Sequence, residues 1–232
     1  MTSQLKRNLL SLAGLGIFVL LALGSYVGTN SNKNNSNKNN SNSSKPTGVT
    51  ARGAGMTTYS NSSGNFTGNL KDNYVDFSFD YPSAWKKDPG AGKGDSPNFV
   101  KVEQATDDQI TLENFAVGYF TGQREFMPKL ANQLSDQFSG GFPEYKKVSE
   151  GETKVGRYDG YEFRFTAHAK DTPKGDLDVW GRVVLLPGAD NRKGAALIML
   201  ATSASDKVRS VDDVGEKGEL PQILSSFKFD KD

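Results

Sequence analysis

The chain has 232 residues and no cysteine, so thiol catalysis, thiolate metal sites, disulfides and a cysteine-linked lipid anchor are all excluded. Its formal charge of +1 hides a split: six of the 28 Lys and Arg, and none of the 27 Asp and Glu, precede residue 65. The remainder of the chain carries 22 bases against 27 acids, a net −5, which repels phosphate backbones and argues against a nucleic-acid partner.

At the start, Lys6 and Arg7 precede an uncharged apolar run from Leu9 to Val27, 19 residues long and close to the length that crosses about 30 Å of hydrocarbon as a helix. Residues 1–28 therefore read as a signal peptide or an N-terminal transmembrane anchor, with Ala22, Leu23 and Gly24 as a small-x-small triplet suited to cleavage. Either reading places the rest of the chain outside the cytoplasm. Residues 29–64 are rich in Asn, Ser, Lys and Gly and bury too little apolar surface to offset the entropy of ordering, so they read as a disordered linker. Residues 65–232 then form one domain, long enough to bury a core without staples.

In that domain Val75, Phe77, Phe79 and Tyr81 alternate with Asp76, Ser78 and Asp80, the period of a strand, and Pro82 ends it by lacking an N–H. Further strand-like runs are NFVKVEQA, LENFAVGYF, YKKVSEGETKV, YEFRFTAHA, LDVWGRVVLL and AALIMLATS. The period changes in EFMPKLANQLSDQFSGG, where Phe126, Met127, Leu130, Ala131, Leu134 and Phe138 fall on one helical stripe. It changes again at Leu220, Ile223, Leu224 and Phe227, preceded by a short helical piece around Val208 to Val214. The fold class is α+β, a three-layer α/β/α sandwich on a mainly antiparallel sheet of six or seven strands. AALIMLA is apolar on both faces and belongs at the interior of that sheet.

Three segments carry a family likeness. FDYPSAW at the end of the first strand resembles the YP-x-x-W start of the PsbP family, LPQILSSFKF is similar to its closing helix, and VGRYDGYEFRF resembles its central hairpin. The resemblance spans residues 70 to 230 and implies an α/β/α sandwich that binds without catalysing. Its known members include extrinsic lumenal proteins of photosystem II that help retain calcium and chloride, a nuclear Ran-binding protein, and exported bacterial domains. The export segment favours the photosystem and bacterial-envelope branches, while the absent cysteine departs from the lipid-anchored cyanobacterial form.

Few residues offer chemistry. DPGAGKGDS fails the phosphate-loop pattern twice, because Lys93 is followed by Gly94 and Lys87 stands where the first glycine is required. His168 is the single histidine and lies out of phase with the aromatic stripe of its strand; with Asp171 or Asp176 it is the candidate metal site. Carboxylates also gather at Asp107 and Asp108, at Asp176 and Asp178, and at Asp212, Asp213, Glu216 and Glu219, where solvated turns and helix starts account for them. Trp85 reads as a core plug. Trp180, with Arg182 on its own face, is the candidate partner anchor.

The expectation is a non-catalytic extracytoplasmic domain, with no cofactor, that docks on a protein or membrane complex such as a photosystem or envelope assembly. The alternatives are a small-ligand or calcium-binding carrier, and a hydrolase using scattered Asp, Glu or Ser with His168.

Overall fold

Val75, Phe77, Phe79 and Tyr81 all turn inward and are buried, as their alternation requires. The computed structural model describes residues 49–52, 55–94 and 96–230. In chain order the elements are β1 (Val49–Arg52), β2 (Met56–Ser60), α1 (Gly68–Asp72), β3 (Phe77–Pro82), β4 (Lys86–Lys87), β5 (Asn98–Ala105) and β6 (Thr111–Thr121). Then come α2 (Met127–Gly141), β7 (Lys146–Val155), β8 (Tyr158–Thr172), β9 (Gly175–Pro187), β10 (Lys193–Thr202), α3 (Leu220–Ser226) and β11 (Lys228–Phe229).

Seven strands make one antiparallel sheet in the order β4-β5-β6-β10-β9-β8-β7. AALIMLATS becomes β10 at its centre, buried on both faces as its unbroken apolar run demands. A second antiparallel sheet has the order β1-β2-β3-β11.

The large sheet separates two cores. On one face α2 lays Met127, Ala131, Leu134 and Phe138 against Phe163, Phe165, Ile198 and Leu185. Pro128 fits the first turn of α2, where a missing N–H costs nothing. The helix ends where Phe142 turns extended and gives its N–H to the Phe138 carbonyl. On the other face the small sheet and α3 cover Val102, Phe115, Val117 and Leu197, with Phe79 packed edge-on against Phe115 at 5.0 Å. Three layers result, and the far one combines strands with a helix.

One boundary needs correction. Met56–Ser60 lies in the stretch assigned to a disordered linker, residues 29–64, but it forms β2 and pairs with β3 from Met56 opposite Pro82 to Ser60 opposite Ser78. Tyr59 is the cause: it is 2% exposed, packs on Phe79 at 5.5 Å and donates to Asn61. A single aromatic in a polar run supplies the apolar area that the average composition lacks. The expected helical piece at 208–214 is a 3-10 turn, Val211–Asp213. No helix among the described residues is long and apolar enough to cross a membrane, and the run Leu9–Val27 lies outside them.

Candidate functional site

Arg182 and Arg164 sit opposite one another on β9 and β8, with Glu162 beside them. The Arg182 guanidinium holds Glu162 Oε2 at 2.7 Å and reaches Glu216 Oε1 at 2.8 Å. Arg164 Nη1 donates to the carbonyls of Val211 (3.0 Å) and Val214 (3.1 Å). Together they strap residues 211–216 across the polar half of the sheet. Burial pushes the Glu162 carboxyl up, but Arg182, Thr153 and Arg164 outweigh it and the group lies below its ordinary value. Arg182, expected beside Trp180 as part of a partner anchor, is 5% exposed, with its guanidinium taken up by Glu162 and Glu216. Its partner of sequence, Trp180, is half-buried and packs on the core.

A second polar centre lies beneath the start of α3. Glu113 has no exposed surface, and its carboxylate accepts the Glu219 N–H at 3.2 Å. Burial raises its pKa, opposed by the N–H groups of Glu219 and Leu220. Gly218 sits directly above at φ 74, where a Cβ would fall 2.5 Å from Glu113 Oε1. Trp85 is buried as expected, and its indole N–H donates to Glu219 Oε2 at 2.7 Å while Lys207 pairs with Oε1 at 2.9 Å. These contacts join the YPSAW turn to the closing helix.

His168 lies on the face opposite the aromatic stripe, between Asp178 Oδ1 (3.1 Å) and Glu144 Oε2 (3.4 Å). Asp171 and Asp176 are at the β8–β9 hairpin tip, where the Asp171 N–H donates to Asp176 Oδ1 at 3.1 Å. The neighbours of the imidazole are thus Glu144 and Asp178 rather than the two aspartates read from sequence. Among the described residues no three His, Asp or Glu side chains converge to hold a metal ion. In the DPGAGKGDS loop the Gly90 N–H turns back to Asp88 Oδ1 and the Gly92 N–H to the Asn98 carbonyl.

A cleft of about 390 Å³ opens at the end of β6, between α1 and α2. Asn69 and Asn73 line it from α1 and the residue that caps it, Gln133, Asp136 and Gln137 from α2, and Tyr119 from the strand. Burial raises the Tyr119 hydroxyl's pKa, with a hydrogen bond from Asn73 opposing it. Sequence reading missed this site because its polar residues are ordinary surface amides on two separate helices. Glu113 was legible in principle, since in LENFAVGYF it shares the phase of Phe115, Val117 and Tyr119.

No family model and no curated protein matches the chain. Several solved structures do. Cyanobacterial PsbP is among them. The Synechocystis protein aligns at 16% identity and a TM-score of 0.45, over 81% of this chain and 98% of its own. LpqN of Mycobacterium tuberculosis, involved in cell envelope biogenesis, aligns at 10% and 0.43 over 75% and 90%. The Ran-binding protein Mog1p of Saccharomyces cerevisiae gives 10% and 0.39 over 66% and 89%. A Bacteroides thetaiotaomicron structure gives 14% and 0.39 over 67% of this chain, which spans 46% of that protein's length. Cyanobacterial PsbP, from the family that the sequence motifs resemble, is thus among the structures to which this fold is similar.

Proposed function

We propose that the chain is a non-catalytic domain that binds a protein or a membrane complex outside the cytoplasm, held there or delivered by its N-terminal segment. One observation carries the reading: among the described residues, the arginines and glutamates on the inner polar face hold the fold, and the single histidine has carboxylates beside it. Arg164, Arg182 and Glu162 fasten the 211–216 segment, Glu113 and Glu219 tie α3 to the sheet, and His168 faces two carboxylates. A hydrolase needs a nucleophile beside its base, and the groups flanking His168 are Glu144 and Asp178. LpqN and Mog1p are described as acting in envelope biogenesis and Ran binding, but the reading stands on the residues and not on that likeness.

The test is crosslinking and capture with the full-length chain, paired with fractionation. The expected result is a saturable complex with an envelope or thylakoid protein and recovery of the chain in a membrane or secreted fraction; cytosolic material without a complex would overturn the reading. His168→Ala should leave that complex intact. The carrier alternative, with calcium bound by oxygens from separate loops, predicts a saturable heat in a calcium titration by calorimetry.

A further inference from the structure

The cleft at the end of β6 arises from the way pairing stops there. On the β5 side, β6 is paired as far as Gly118, opposite Asn98. Pro97 comes next on that partner and has no N–H to continue the ladder. On the β10 side pairing continues through Thr121, opposite Lys193, and the Gly122 N–H still reaches the Arg192 carbonyl at 2.8 Å. Backbone groups alternate along an antiparallel strand, so Gly122 and Phe120 face β10 while Thr121 faces the other way, past the end of β5. With Phe120 turned to β10 and the Tyr119 N–H turned to the Pro97 carbonyl, the edge left open on this side is the Tyr119 carbonyl and both backbone groups of Thr121.

The walls of the cleft suit that edge. Asn69, Gln133 and Gln137 are carboxamides, each able to donate and to accept, which is the pattern of a peptide backbone, while the Asn73 amide donates to the Asn69 carbonyl at 3.0 Å. Asp136 is the one charged residue of the lining, so the lining repels a polyanion and accepts a neutral or basic guest. The volume of about 390 Å³ lies in the range of ligand sites.

We propose that this cleft receives an extended peptide, neutral or basic, which adds as a strand to the edge of β6 at Tyr119–Thr121, its backbone flanked by the carboxamides of α1 and α2. The proposal rests on the protein-binding reading and names its site and the form of its partner: the backbone of an unstructured segment supplies the affinity, and the amides set its direction.

The test selects heptapeptides from a random phage library on the full-length chain and measures the free, fluorescently labelled peptides by polarisation. Each is then remade with backbone N-methyl groups on alternate residues, in either of the two phases. Strand addition expects one phase to weaken binding by about tenfold or more and the other to leave it unchanged. Gln133→Trp, on the exposed side of α2, should fill the cleft and weaken binding to a similar degree with an unchanged circular dichroism spectrum, while Thr121→Ala, which keeps the backbone, should bind normally. Equal effects of both phases, or full binding to Gln133→Trp, overturn the proposal. So does competition by a neutral oligosaccharide in place of peptide, or self-association blocked by Gln133→Trp, which would make a second copy the occupant. If the chain captures a protein but selects no peptide, the site assignment falls and the protein-binding reading stands; if it captures neither, both fall.

Discussion

Glu113 shows how much one side chain can be asked to do. It is a carboxylate with no exposed surface, under a glycine at positive φ, at the start of a seven-residue helix. Because burial raises its folded pKa, the group favours the fold most below the ordinary carboxyl value of about 4.3, and that contribution is lost as pH rises through the raised value. Glu113→Gln keeps an acceptor and removes the charge, so its melting temperature should gain on wild type as pH rises from the ordinary carboxyl value through the raised one. Thermal unfolding followed by circular dichroism checks this, and a gap that does not change with pH would refute it. Glu162 runs the other way: its folded pKa is lowered, so its contribution is present above the ordinary value and disappears as pH falls through the lowered one. Arg182→Met should cost about 2 kcal/mol in urea unfolding, because it leaves half-buried Glu162 without its closest cation, with Arg164 alone beside it. The Glu216 contact adds little to that figure, since Glu216 is largely exposed.

Strand and helix positions that look interchangeable in sequence are not so in the sheet. Gly181 lies in β9 opposite Phe165, and a Cβ there would fall 2.1 Å from the edge of the Phe165 ring. Gly181→Ala should therefore destabilise by about 2 kcal/mol or more, as overpacked cores do, measured by the same urea titration. Trp85→Phe keeps the packing and deletes the bond to Glu219, so it should cost roughly 1 kcal/mol and loosen α3 in hydrogen exchange. At this level the sequence was most readable where one periodicity ran long: NFVKVEQA is β5 residue for residue, and the stripe through Met127 and Phe138 is α2. It was least readable in β4 and β11, two residues each, and in α1, five residues, which are too short to show a period and exist because a neighbour pairs with them or covers them.

Taken whole, the molecule begins earlier than its composition suggests. A chain cut at Asn65, the boundary that composition proposes, loses β2 and the Tyr59 ring from the core of the small sheet. It should be less stable by about 3 kcal/mol or more than a chain that starts at Val49, and a pair of urea curves decides the point. If the two are equally stable, β2 contributes nothing to the fold. The open edge of β6 is also a property of the whole, since it needs Pro97, α1 and α2 to arrive at one place from three parts of the chain.

The layers, the central position of β10 and the burial of Trp85 could be read from the order of the residues, because side-chain periodicity and continuous apolarity are local quantities that map directly onto faces. The fate of Arg182, the neighbours of His168 and the amide-lined cleft could not. Each depends on which side chains from distant segments come within a few ångströms of one another, and pairing at that range is set by sheet register and by the packing of helices on its edge, neither of which is written in any single stretch of the chain.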